Sequence, residues 1–199
     1  MIIMARYGAE HKGGTRRRIL EAADEVIKAQ GVQAASVSEV MRRAGLTVGG
    51  FYAHFPSKEA LAQESLLFGL TRSVDRLLAS LDRIADPKAR VRALVSQYLA
   101  QADDNDLAHA CPMTLLLPDL ARADRDTRNA FSTHTGALLD RIAERFPDIE
   151  GMTRRQAALF VYTSCAGAVA VARAVASPEA RRRILDTTER MLVRALCLV

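Results

Sequence analysis

An all-α architecture is what the 199 residues predict, and three observations carry that expectation. Apolar residues recur at spacings of three and four, the period of a helix with one buried face. Start signals punctuate the chain: Thr15, Ser36, Ser57, Asp86, Cys111, Asp124, Thr153 and Ser177 stand where helices would be capped, and Asp86, Cys111 and Ser177 each precede a proline. The composition agrees, being rich in Ala, Leu and Arg, with 5% aromatic residues and no Trp, and without alternating strand patterns joined by hairpin turns.

In chain order, residues 1–14 read as a flexible basic arm containing Arg6, Lys12 and the Gly13-Gly14 pair. Thr15 would cap a first helix from Arg16 to Gln30, stopped by Gly31, with Ile19, Leu20, Ala23, Val26 and Ile27 as its apolar stripe. Arg16, Arg17 and Arg18 lie in its first turn, where the helix dipole disfavours cations. A phosphate contact would account for such a cluster. Ser36-Val37-Ser38-Glu39 has the form of a capping box opening a second helix, and Gly45 suits its left-handed end. Leu46 would plug the core of the turn, and Thr47 would cap a short third helix to His54. Two helices joined by a glycine turn make a helix-turn-helix.

The stretch Ala44-Gly45-Leu46-Thr47-Val48-Gly49-Gly50-Phe51-Tyr52-Ala53-His54-Phe55-Pro56-Ser57-Lys58-Glu59-Ala60-Leu61 resembles the DNA-binding domain of TetR-type bacterial transcriptional repressors. The resemblance covers about the first third of the chain. It implies an N-terminal three-helix DNA-binding domain at residues 15–57 and a C-terminal helical domain, 58–199, for ligand binding and dimerisation. The recognition helix would be Thr47 to His54, placed in the major groove. Its packing would rest on Leu46, Phe51 and Phe55, because Gly49 and Gly50 are poor helix formers. Their lack of side chains would let the backbone approach DNA, with tight packing against the second helix expected for one of them. By resemblance, Tyr52, His54 and Lys58 occupy phosphate-contacting positions. Thr47 and Val48 are candidates for thymine-methyl contacts, and Arg42 or Arg43 for a guanine edge or a phosphate. The charge balance agrees: residues 1–60 hold nine basic and six acidic residues, so +3 of the chain's +5.

Beyond Pro56, Ser57 would cap a long fourth helix from Lys58 to about Ala85. Later helices are expected at Pro87 to Ala102, Pro112 to Arg122, Asp124 to Phe146, Arg154 to Ala176, and from Ser177 to near the C-terminus, about nine in all. An acidic loop, Asp103-Asp104-Asn105-Asp106, separates the first two of these. A ligand pocket among them would draw on Tyr98, His109, Cys111, Thr114, His134, Tyr162, Thr163 and Cys165, few polar groups in apolar surroundings, which suits a mainly apolar effector. Dimerisation is expected through the small residues Ser164, Gly167, Ala168, Val171 and Ala172, with a palindromic double-stranded operator matching the two-fold axis.

The uncharged run from Gln156 to Ala172 is short of a membrane span and reads as a buried helix. Cys111, Cys165 and Cys197 form no disulfide framework, and the N-terminus lacks a signal-peptide core, so a cytoplasmic protein is expected. His11, His54, His109 and His134 are not metal-spaced, and no nucleotide-binding or hydrolase motif occurs. Neither enzyme activity, nor a cofactor, nor a metal is expected. Two alternatives stay open: a thiol sensor of electrophiles or oxidants using Cys111, at a helix's positive end, and a helical binding module without regulatory DNA binding.

Overall fold

A computed structural model of the protein describes residues 2–102, 107 and 110–196. Among them are eight α-helices and two 3₁₀ segments, joined in the chain order that the punctuation predicts. They are α1 (Ile2–Ala34), α2 (Val37–Arg43), α3 (Lys58–Leu81), α4 (Pro87–Leu99), α5 (Pro112–Ala121), α6 (Arg125–Ala143), α7 (Arg154–Ala174) and α8 (Pro178–Ala195). The 3₁₀ segments are Val48–Ala53 and Ala100–Ala102. The predicted third helix is the first of these, so it is wound more tightly than expected. Asp103 to Asp106, His109 and Cys197 lie outside the described residues.

The chain divides into two compact units, Met1–Gly69 and Leu70–Val199, called here the head and the body. The division falls inside α3 rather than before Lys58. The reason is packing: Leu61 and Ser65, in the first turns of α3, are buried in the head. The head's core is the predicted α1 stripe with Val40, Met41, Phe51 and Phe55. Fully burying a side chain of this kind contributes about 1.5–3 kcal/mol, enough to hold a 3₁₀ turn that two glycines weaken.

Several local features differ from expectation. The backbone is helical from Ile2, before Thr15, so the expected flexible arm is a helix in this structure. Met4, Ala5, Ala9 and Glu10 are good helix formers. Gly31 does break α1, at φ 80° and ψ 165°, leaving one more turn to Ala34. Ser36 caps α2 by accepting from the Glu39 N–H at 3.2 Å, but Glu39 gives its carboxylate to Gln30 instead of the Ser36 N–H. Thr47 makes no side-chain cap. Leu46 is only half-buried. Helix α3 stops at Leu81, and the Arg90 guanidinium donates to the Ile84 carbonyl in the non-helical turn that follows.

In the body, α7 is the central helix, packed on α4, α5, α6 and α8. Its start carries a complete capping box between Thr153 and Gln156. By length and composition it could cross a membrane, yet Ala157, Val161, Cys165, Val169 and Ala172 are buried within the body, as predicted for a core helix.

Candidate functional site

The head presents a small surface built around the 3₁₀ segment. Arg42 closes α2, Gly45 turns the chain at φ +67°, and the backbone N–H groups of Gly45 and Leu46 return to the carbonyls of Arg42 and Met41. Phe51 and Phe55 anchor the segment from beneath, their rings stacked at 5.9 Å. What remains outside is Thr47, Val48, Gly49 and Tyr52, all exposed. Tyr52 is 75% exposed and stands edge-on to Phe51, so its phenol points away from the core. A phenol donor, a branched apolar side chain and bare backbone can contact a phosphate, a thymine methyl and a close sugar-phosphate strand respectively.

Neither glycine is required by packing. A Cβ on Gly49 would meet nothing within 4 Å, and one on Gly50 would only touch the Met41 methyl at 3.9 Å. The expectation that one of them is held by close packing on α2 is therefore not met. Their smallness matters only toward the outer face.

The basic residues divide into two sets. Arg42 is exposed beside the 3₁₀ segment, and Arg17 reaches only Glu21, one turn away. The others hold the head together. Arg16 pairs with Glu64 and lies 4.5 Å above the Phe55 ring. Arg18, a member of the arginine cluster read as a candidate for phosphate, donates to the Ala44 carbonyl at 2.6 Å, where α2 ends and a cation is favoured. Arg43 pairs with Glu25 at 2.6 Å. Lys58 donates to the Gln33 carbonyl at 2.9 Å, in the last turn of α1. His54 is half-buried, and its Nδ1 is sealed from solvent without a hydrogen bond in the protein.

The body contains a mainly apolar cavity of about 50 Å³. Leu70, Val74 and Leu77 of α3, Leu94 of α4, Leu138, Leu139 and Ile142 of α6, and Ala158 of α7 line it. Of the expected pocket residues, Tyr98, Cys111 and Tyr162 are on its wall. The two tyrosine rings meet edge to face at 6.1 Å. Burial, and then the neighbouring Cys111, push the ionisation of both phenols well above the usual tyrosine range. Thr114, His134 and Cys165 are not on the wall. Thr114 donates to the Cys111 carbonyl inside the first turn of α5, and His134 bonds Thr71 at 2.9 Å. Cys165 faces the core, where burial raises its thiol to about 12. Thr163 is exposed and bonds back to the Leu159 carbonyl.

Three polar wall residues escaped the sequence: Ser73, Gln101 and Thr135. Two had a legible signal. Ser73 falls between Leu70 and Leu77, and Thr135 precedes Leu138, Leu139 and Ile142, so each is a hydroxyl at a core position of an apolar stripe. Gln101 has a building role as well: its side-chain oxygen accepts the Cys111 N–H at 2.7 Å and ties the start of α5 to the end of α4.

An open groove runs along α7 and α8, lined by Phe160, Ser164, Gly167, Val171, Ile184 and Met191 among others. Phe160, Val171 and Met191 are large apolar side chains left in solvent. Of the residues expected at a dimer surface, Ser164, Gly167, Ala168 and Val171 line this groove. Ala172 is fully buried and Ala168 nearly so. Ala172 belongs to the inward face of α7, where small side chains let neighbouring helices approach, so it is not available to a second subunit.

A three-helix head with a helix-turn-helix and an outward reading face, carried by an all-helical body, defines a helix-turn-helix transcriptional regulator. Comparison with known proteins narrows this. Residues 19–64 match "Bacterial regulatory proteins, tetR family". The HTH-type transcriptional regulator TtgW of Pseudomonas putida is 32% identical over 120 residues, spanning 53% of this chain and 89% of that one. Other curated relatives are matched over less of their length, 58% and 56% in two cases. Two solved structures share the fold. Reduced NemR of Escherichia coli has a TM-score of 0.71 at 23% identity, covering 89% of this chain and 96% of that one. A transcriptional regulator of Saccharomonospora viridis in complex with choline has a TM-score of 0.69 at 19% identity, covering 90% and 94%. The chain belongs to the TetR family of bacterial transcriptional regulators.

Proposed function

We propose that the protein is a cytoplasmic repressor that binds a palindromic operator as a homodimer and is released by a small, mainly apolar molecule held in the body. The path of α3 carries this reading. The helix begins at Lys58, whose ammonium holds the Gln33 carbonyl of the head. Its later turns supply Leu70, Ser73, Val74 and Leu77 to the cavity wall. One continuous helix thus belongs to the reading unit and to the effector site. A molecule that binds the DNA-free form better than the DNA-bound form would release the operator by displacing that helix.

Exposed Phe160, Val171 and Met191 support self-association along α7 and α8. Two heads related by a two-fold axis suit a palindromic site. Thr47, Val48 and Tyr52 would meet the groove and its rim, with Gly49 and Gly50 allowing close approach and Arg42, His54 and Lys58 adding phosphate contacts. The test is fluorescence anisotropy on duplexes from the region upstream of the protein's own gene, over a salt series. Binding should weaken steeply with salt, and Lys58→Ala should lower the log–log slope by about 1. An unchanged slope removes Lys58 from the phosphate contacts, and no binding to any fragment refutes the regulator.

A further inference from the structure

We infer that the body cavity takes an uncharged small molecule with an apolar frame and a hydroxyl or carbonyl group, a reading that rests on the effector role proposed above. Three hydroxyl oxygens carry it. Ser73 Oγ, Tyr98 Oη and Thr135 Oγ1 all belong to wall residues and are sealed from solvent; among the described residues Ser73 Oγ and Thr135 Oγ1 have no hydrogen bond, and Tyr98 Oη meets only a thiol. Tyr98 as a whole is 5% exposed. Its polar neighbour is the Cys111 thiol, a weak partner for a phenol. Buried polar groups are almost always paired, so two unpaired oxygens and one weakly paired phenol on one small cavity mark a place where something else completes the bonding.

The wall also states what that partner cannot be. Among the described residues it contains no Asp, Glu, Lys, Arg or His. A carboxylate or phosphate would enter without a counter-ion, and the raised ionisation of Tyr98 and Tyr162 reports surroundings hostile to negative charge. An ammonium would find the faces of two tyrosines but no carboxylate to replace its lost hydration. A pure hydrocarbon would satisfy the leucines and leave Ser73 and Thr135 unpaired and Tyr98 with only a thiol. A neutral molecule with a hydroxyl or carbonyl answers both demands, because each wall hydroxyl can donate or accept. At about 50 Å³ the space holds about four waters. A larger molecule therefore enters only as the Leu and Ile side chains of α3 and α6 move outward, which couples occupancy to α3.

Four probes of one size test the inference by calorimetry on the full chain: benzyl alcohol, toluene, benzoate and benzylammonium. Benzyl alcohol should bind about tenfold or more tighter than each of the others, the equivalent of one hydrogen bond realised in the cavity. Tyr98→Phe combined with Thr135→Val should erase its advantage over toluene while toluene binding persists, which also reports that the variant is folded. Equal or tighter binding of benzoate, benzylammonium or toluene overturns the inference, as does no binding by any probe. The same titrations followed by operator anisotropy separate the two readings. A charged probe that releases DNA leaves the regulator standing and removes the neutral ligand. Failure to bind DNA removes the regulator, whatever the cavity accepts.

Discussion

Replacing Tyr98 by Phe should stabilise the free protein, a sign opposite to that of most core substitutions. The phenol oxygen is buried with only the Cys111 thiol, a weak partner, beside it, and an orphaned buried hydroxyl costs about 1–3 kcal/mol. Phenylalanine keeps the ring and its edge-to-face contact with Tyr162 at 6.1 Å. The void left by one oxygen costs less than about 1 kcal/mol, since it merges with an existing cavity. The net gain is about 1 kcal/mol, or about 2–4 °C in Tm for a chain of this length. Urea unfolding at fixed protomer concentration measures it, with m unchanged so that the midpoint alone reports stability. A loss of about 1 kcal/mol or more would refute the reasoning, because it would mean that the hydroxyl is already satisfied in the free protein. The gain should also disappear once benzyl alcohol saturates the wild-type site.

Other expectations follow from groups in fixed surroundings. The Cys165 thiol stays protonated to about 12 in the folded protein against about 9 when unfolded. Stability is then unaffected below pH 9 and falls by about 1.4 kcal/mol per pH unit above it, as only the unfolded chain ionises. Denaturation between pH 9 and 10 should show a shallower fall for Cys165→Ala. Arg16→Met should cost about 1–2 kcal/mol through the lost Phe55 and Glu64 contacts. It should leave the salt slope of DNA binding unchanged, and a lower slope would restore Arg16 to the phosphate contacts. Gly49→Ala has room for its methyl group. It should raise head stability by about 0.5–1 kcal/mol while weakening operator binding at the outer face, and unchanged affinity would place Gly49 away from the DNA.

Helix boundaries were legible wherever a short-range signal wrote them. Asp86-Pro87, Asp124, Thr153 and Ser177 cap the helices they were expected to cap, and each acts on N–H groups within three residues of itself. The turn at Gly45 belongs to the same class, because a left-handed φ is a property of one residue. The third helix was misjudged in kind, since the choice between 3₁₀ and α winding there depends on how Phe51 and Phe55 seat beneath it. Of the small residues expected at a dimer surface, only Ala172 is wholly covered by the body itself, while Gly167 and Val171 are exposed. On a helix made largely of Ala, Val and Gly, both faces look alike until neighbours cover one.

The family and the all-helical class were therefore determined by sequence alone, because caps, glycine turns and apolar periods act over a turn or two of chain. Tertiary structure decided the assignments that depend on partners far along the chain. Arg16, Arg18 and Lys58 carry charges suited to phosphate, yet each is engaged by a group of the head itself, at Glu64, Ala44 and Gln33. Ser73, Tyr98 and Thr135 sit on three helices and carry no common motif. Only the packing of α3, α4 and α6 gathers their hydroxyls onto one wall. Burial then makes those oxygens costly, since a hydroxyl loses water through its surroundings rather than through its place in the sequence.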